Sequence, residues 1–231
     1  ATDRTTEFVV LKFSSQVAKS ELQLNVMGYY AHQDASPQLV VYPTEKLAET
    51  FSKSRIDPMF QYSEGLKDIN TDVVAELVGD NRRGTKKKKA SNTIFEKYYP
   101  GGYIAMVGSE SEASLAGRPI RILHVDEVDR CSDTAEGDSL KLAIQRTTNF
   151  EHNRKIILAS TPTVKGESKI EKWWEESDQR YFNVPCPHCG EFQFMKWGQV
   201  RWDKDANGNA KPDTARVHCV ECDGVMRGAG K

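Results

Sequence analysis

No apolar run in this chain approaches the roughly 18–20 residues that span a bilayer, which excludes a transmembrane helix. The start of the chain, Ala1 to Thr5, lacks both a methionine and the charged-then-apolar pattern of a secretory leader, as a truncated or processed chain would. An excess of one charge is also missing: 32 Lys and Arg face 33 Asp and Glu, for a net charge of -1. That balance excludes no nucleic-acid partner, because charge can be segregated into patches. Nor is there a secreted disulfide framework. The five cysteines are odd in number, and four of them form two Cys-x-x-Cys pairs, the pattern of a metal site in a reducing compartment. No internal repeats occur. Hydrophobic residues, at 38%, suffice for a packed core and argue against wholesale disorder. The 231 residues suit one large domain, or one main domain with a small appendage.

Residues 8–11 (Phe-Val-Val-Leu) form a short apolar run of strand length, and residues 12–18 are polar and small as a loop requires. From 19 to about 30, Leu22, Val26 and Tyr29 recur at helical spacing. Residues 34–37 break the chain, 39–42 read as a second buried strand, and Pro43-Thr44 opens another helix to about 53. This β-loop-α-β-α order with continuous apolar strands predicts a parallel sheet covered on both faces. Residues 93–99, Pro-Gly-Gly and 103–107 read as a hairpin. Residues 110–116 suit a short helix. Residues 120–125 and 155–159 are the third and fourth core strands, ending at Asp126-Glu127 and at Ser160-Thr161-Pro162. Both polar clusters therefore fall at strand C-termini, where open α/β sheets bind ligands. A charged helix is expected from 167 to about 177. Residues 1–180 make the sheet domain, and 181–231, with all four paired cysteines, a small separate module.

Three constellations suggest chemistry. Phe13-Ser14-Ser15-Gln16-Val17-Ala18-Lys19-Ser20 lies between a strand and a helix. A phosphate-binding loop needs backbone N–H groups converging at a helix N-terminus, a lysine on the phosphates and a hydroxyl on Mg²⁺. Lys19 and Ser20 supply the last two, while Phe13 and Ala18 stand where glycines are usual. An ordinary strand-to-helix turn with a solvated lysine would read the same way. Asp126 at a strand end is placed to hold Mg²⁺ opposite Ser20, and Glu127 to polarise water; two solvated acids are the plainer reading. Ser160 and Thr161 at a neighbouring strand end would sense a terminal phosphate, or simply form a turn.

Together these pieces resemble the ATPase part of the large terminase subunit of tailed bacteriophages, in its lambda-like family. The resemblance runs over residues 10–21, 41–44, 117–127, 158–163 and 185–190. It implies a phosphate-loop NTPase sheet of the ASCE type with helices on both faces. The implied function is an ATP-driven motor that moves double-stranded DNA into a procapsid in the host cytoplasm. ATP and Mg²⁺ would be held by residues 14–20, Asp126, Ser160 and Thr161, with Glu127 as the catalytic carboxylate. Lys12 lies near an upstream basic position used by some terminases, but Lys19 holds the standard one. Arg118 resembles the basic residue upstream of the Asp-Glu pair and would meet the γ-phosphate of this or a neighbouring subunit, unless it forms a structural salt bridge. The resemblance further implies a small terminase subunit, a portal protein and a homo-oligomeric ring as partners, and a nuclease domain beyond this chain.

Cys186, Cys189, Cys219 and Cys222 supply four thiolates in two knuckles, the set that suits a structural, zinc-ribbon-like Zn²⁺ site. His188 and His218 flank these ligands as bystanders, and Cys131 has no partner. The run Lys86 to Lys89, with Arg82 and Arg83, would contact DNA phosphates or be a solvated loop. Two rival functions share these features. One is a helicase-like nucleic-acid ATPase. The other is a zinc-ribbon DNA- or partner-binding module with a degenerate nucleotide site, favoured by the missing glycines and opposed by Glu127 beside Asp126.

Overall fold

The computed structural model describes residue 3 and residues 5–69, 92–115 and 117–226. The basic run at 82–89 lies outside the described residues. The chain forms two compact units, Ala1–Ser177 and Asp178–Lys231.

The first unit is built on a six-stranded sheet. Its strands are β1 (Phe8–Lys12), β2 (Gln38–Tyr42), β3 (Glu96–Tyr99), β4 (Gly102–Gly108), β5 (Ile122–Asp126) and β6 (Lys155–Ser160), in the spatial order β1-β6-β5-β2-β4-β3. Every neighbouring pair is parallel except β3 with β4. The four expected core strands did become parallel strands, and β2, β5 and β6 are buried along their whole length. The expected hairpin is β3–β4, closed through Gly101 at φ +84. However, β4 also pairs in parallel with β2, so it is an interior strand of the sheet and not half of an isolated hairpin. Its final residue, Gly108, packs against the start of the helix that follows β2: a Cβ there would lie 2.5 Å from the backbone N of Glu45.

Helices cover both faces, as an all-parallel core requires. On one face α1 (Lys19–His32), α2 (Glu45–Phe51) and α3 (Asp57–Tyr62) present Leu24, Met27, Ala48 and Phe60 to Val40, Tyr42 and Met106. The N-terminus of α2 is capped by Thr44, whose Oγ1 accepts from Leu47 N at 3.3 Å. On the other face lie α4 (Glu112–Leu115), α5 (Ser139–Gln145) and α6 (Lys169–Glu175), where Leu115, Leu140 and Ile170 meet Leu39, Leu123 and Leu158. Alternate residues of β5 serve opposite faces, Leu123 and Val125 one and Ile122 the other, as the two-residue period of a strand dictates. Helix α5 has a sequence signal, the Asp138 cap on Leu140 N at 2.9 Å, that the reading of the chain passed over.

Buried polar groups cross this core. The ring of His124 on β5 has Nε2 3.1 Å from Gln38 Oε1, and Gln38 Nε2 donates to the Met27 carbonyl at 3.0 Å and to Tyr99 Oη at 2.9 Å. With the Gln38 oxygen as acceptor, the proton sits on Nε2. Nδ1 has no hydrogen-bond partner among the described residues.

The second unit holds two short sheets. One pairs β7 (Asn183–Pro185) with β8 (Phe192–Phe194), and the other has the order β11-β10-β9 from β9 (Val200–Arg201), β10 (Arg216–His218) and β11 (Val225–Met226).

Candidate functional site

In the first unit, the β1–α1 loop and the ends of β5 and β6 meet at the C-terminal edge of the parallel strands. Because β6 lies between β1 and β5, the residue after β6 faces the first turn of α1. Lys19, the first residue of α1, is only 6% exposed, and its ammonium donates to the Ser14 carbonyl at 3.1 Å and to Thr161 Oγ1 at 2.6 Å. The next residue, Ser20, donates to Asp126 Oδ2 at 2.9 Å, and the Glu127 N–H donates to Asp126 Oδ1 at 3.0 Å. Burial pushes the Asp126 carboxyl above its ordinary range. The Ser20 hydrogen bond opposes this and the negative Glu127 beside it adds to it.

A cavity of about 490 Å³ opens at this point, lined by residues 15–21, Arg55 and Glu127. The backbone around it is strained. Ala18 stands at the usual glycine position with φ 62 and ψ 25, a left-handed conformation that costs an L-residue about 1–2 kcal/mol. Gln16 (φ 59) and Glu127 (φ 54) adopt it too, so three of the five such non-glycine residues among those described ring one cavity. Strained conformers held by the surrounding fold cluster at functional sites. Ala18 thus takes the left-handed conformation that a glycine adopts without strain.

Not every expected residue arrives. Ser160 is buried and turned to the backbone, its Oγ accepting from Asp129 N and donating to the Thr161 carbonyl, both at 3.2 Å. Lys12 is occupied elsewhere, 3.4 Å from Glu171 Oε1 and 3.9 Å over the Trp174 ring. Arg118 precedes β5, whereas Asp126 ends it, which puts the length of a strand between them. Its guanidinium pairs with Glu96, contacts Tyr98 Oη at 3.3 Å and lies 4.5 Å over the Tyr103 ring. It lines a different cleft of about 410 Å³ along β4. Of the alternatives open for Arg118, a γ-phosphate of this or a neighbouring subunit or a structural salt bridge, the structure shows the ion pair with Glu96.

Reading the sequence missed Asp129, Arg55 and Tyr42. Asp129 accepts from Thr163 N (2.9 Å), Thr163 Oγ1 (3.0 Å) and Ile170 N (2.8 Å), tying the segment after β5 to the loop after β6 and to α6. Burial alone would raise its carboxyl, but these hydrogen bonds outweigh it and hold the group below its ordinary value. Its signal was present, two residues beyond Glu127. Arg55 had none, since it reaches the site only through the packing of the turn after α2; Tyr42 lay within the segment 41–44, but nothing there gave its hydroxyl a role.

In the second unit, the thiols of Cys186, Cys189, Cys219 and Cys222 lie within 4.8 Å of one another. Cys186 Sγ is 3.8 Å from Cys222 Sγ, and Cys189 Sγ is 3.7 Å from Cys219 Sγ. A disulfide would need about 2.05 Å. Four sulfurs about 2.3 Å from a central ion at tetrahedral angles would stand roughly 3.8 Å apart, so the spacing fits a metal. Backbone N–H groups donate to the sulfurs, His188 N to Cys186 Sγ and Glu221 N to Cys219 Sγ, both at 3.4 Å. Hydrogen bonds from the Cys222 and Glu221 backbone and from Gln193 bring the Cys219 thiol down to about 6 despite burial. His188 and His218 turn their rings to the carbonyls of Val225 and Asp223, not to the sulfurs. Cys131 stands apart in the first unit, its thiol pushed by burial up to about 11.

The fold places the chain in a definite class. It matches the large terminase ATPase domain of Thermus phage P74-26 with a TM-score of 0.50 at 10% identity, over 83% of this chain and 73% of that one. A mutant of that domain matches equally well at 14% identity. The architecture is therefore a mixed α/β, mostly parallel sheet of the terminase ATPase kind. The family model described as phage terminase large subunit gpA, ATPase domain, matches residues 1–231, and the chain belongs to that family. The terminase large subunit of Enterobacteria phage P21 is 27% identical over 215 residues, 89% of this chain and 31% of that protein. That of Escherichia phage lambda is 28% identical over 202 residues, 83% and 30% respectively. The chain spans about a third of the length of these curated relatives.

Proposed function

We propose that this chain is an ATP hydrolase that drives double-stranded DNA into a procapsid. The observation that carries the reading is the convergence of three separate segments, with Lys19, Ser20 and Glu127 lining one cavity and Thr161 and Asp126 hydrogen-bonded to Lys19 and Ser20 beside it. Lys19 at the start of α1 neutralises phosphate charge, helped by the N–H groups of the helix N-terminus. The Ser20 hydroxyl and the Asp126 carboxylate, already 2.9 Å apart, offer the hard oxygen donors that would hold Mg²⁺. That ion would shield the phosphate oxygens from the incoming nucleophile. Glu127, at the cavity wall, orients and deprotonates the attacking water. Thr161, bonded to the Lys19 ammonium, senses the terminal phosphate, and Asp129 passes its loss to α6.

The four cysteines hold one structural Zn²⁺ in a ribbon-like module that rigidifies residues 181–226. In the longer protein the domain works as a homo-oligomeric ring with a small terminase subunit, a portal protein and DNA, in the host cytoplasm. Arg118 would act only on a neighbouring subunit's nucleotide, after leaving Glu96. The Ser20–Asp126 pair and the buried Lys19 favour turnover over a degenerate site.

The test is nucleotide turnover with and without duplex DNA. Lys19→Ala should abolish nucleotide binding, while Glu127→Gln should preserve binding and reduce hydrolysis roughly a hundredfold or more. Parental hydrolysis by Glu127→Gln would overturn the assignment of the water-activating residue. Unwinding of a tailed duplex would favour a helicase instead.

A further inference from the structure

Arg55 stands on a π-helical turn, Ser52–Ile56, between α2 and α3, and its side chain lines the same cavity as residues 15–21 and Glu127. Turns of this kind are rare and occur often at functional sites. Here the turn is anchored from behind by the buried Ser52, whose hydroxyl donates to the Ile94 carbonyl. Strand β2 neighbours β5, so a residue carried on the α2 side enters the cavity from beside Asp126 rather than from beside β1. Lys19 and Ser20 set where the phosphates sit. A cation arriving from the Asp126 side therefore meets the last phosphate of the chain, next to Glu127 and its water.

Two observations mark Arg55 as held in reserve for a ligand. Its Nη1 lies 3.5 Å from Glu21 Oε2, and both side chains are more than half exposed, at 54% and 55%. Such a pair contributes at most about 1 kcal/mol and is readily exchanged for a stronger anion. A guanidinium bound to phosphate makes shorter, bidentate, charge-assisted hydrogen bonds. The second observation is Tyr42, the last residue of β2. It is 5% exposed, its hydroxyl has no hydrogen-bond partner among the described residues, and the charges acting on it are those of Asp126 and Arg55. Tyr42 does not itself line the cavity, but buried hydroxyls are normally paired, so one left unpaired among the described residues, within reach of the charges of Asp126 and Arg55, leaves a polar group free behind this wall of the site.

We propose that Arg55 is a phosphate-contacting residue that exchanges Glu21 for the terminal phosphate of a bound nucleoside triphosphate, so that the site distinguishes triphosphate from diphosphate within one chain. This rests on the nucleotide-binding reading above.

Calorimetric titration of the whole chain with Mg·ATP (in the Glu127→Gln background) and with Mg·ADP tests it. Arg55→Ala should weaken ATP binding about tenfold or more while ADP binding stays within about twofold, and Arg55→Lys should recover part of the loss. Glu21→Gln should tighten ATP binding at low salt by releasing the guanidinium. Equal losses for ATP and ADP, or no loss for either, would overturn the proposal, the first outcome indicating a purely structural role. A parent that binds neither nucleotide, or one whose binding survives Lys19→Ala, would instead sink the nucleotide reading itself.

Discussion

His124 lies on the strand that delivers Asp126, and its burial makes that strand acid-sensitive. It is fully buried, and loss of hydration holds the imidazole down to about 3, against 6.5 in the unfolded chain. The folded value is the lower one, so the stabilisation is complete above pH 6.5 and is lost as pH falls from there towards 3, where protons bind the unfolded state first. At pH 5 the unfolded imidazole is almost wholly charged and the native one neutral, a difference of about 2 kcal/mol; the full gap amounts to about 5 kcal/mol. Against a typical stability of about 5–15 kcal/mol, the first figure is already large. The contrast to measure is His124→Gln, which keeps an N–H to offer Gln38 but cannot titrate. In urea denaturation at pH 7.5 and pH 5, the parent should lose about 2 kcal/mol more than the variant over that interval. The imidazole resonances should also report the neutral Nε2–H tautomer at pH 5. Parallel losses in the two proteins, or a charged native ring at pH 5, would refute the reasoning.

Three further outcomes are expected. Ala18→Gly removes about 1–2 kcal/mol of left-handed strain and adds roughly 0.5–1 kcal/mol of unfolded-state entropy, so it should stabilise the protein by about 0.5–1 kcal/mol without weakening nucleotide binding; a destabilised variant in urea denaturation would show that Ala18 is not left-handed. The Asp126 carboxyl is raised in the fold, so its stabilisation is present below 3.8 and lost as pH rises through the folded value, leaving a cost at neutral pH. Asp126→Asn should accordingly raise the nucleotide-free Tm by a few degrees while ending Mg²⁺-dependent hydrolysis, and an unchanged or lower Tm would count against a buried, charged Asp126. Elemental analysis should find about one zinc per chain, and chelation should unfold residues 181–226 while the sheet unit persists; a metal-free chain with both units folded and four free thiols would reject the metal site.

Much of this molecule was legible locally. Strands covered on both faces need apolar side chains at successive positions, so residues 8–11, 39–42 and 156–159 announced themselves without any alignment of partners. Thr44 before a helical run, and Lys19-Ser20 at a helix start, are likewise signals contained within a few consecutive residues. The paired knuckles at 186–189 and 219–222 needed only spacing. What the sequence could not show was which strand lies beside which, because ladder hydrogen bonds join residues distant along the chain and any apolar run can pair with any other. Only the tertiary structure made β4 an interior strand by pairing it with β2. It also placed β6 between β1 and β5, and so set Thr161 on the Lys19 ammonium. The same packing left Arg118 at the far end of β5 with Glu96, brought Arg55, part of no motif, to the cavity, and set Tyr42 within reach of the charges of Asp126 and Arg55. The chemistry-bearing residues were written in short motifs; their company was decided by strand order.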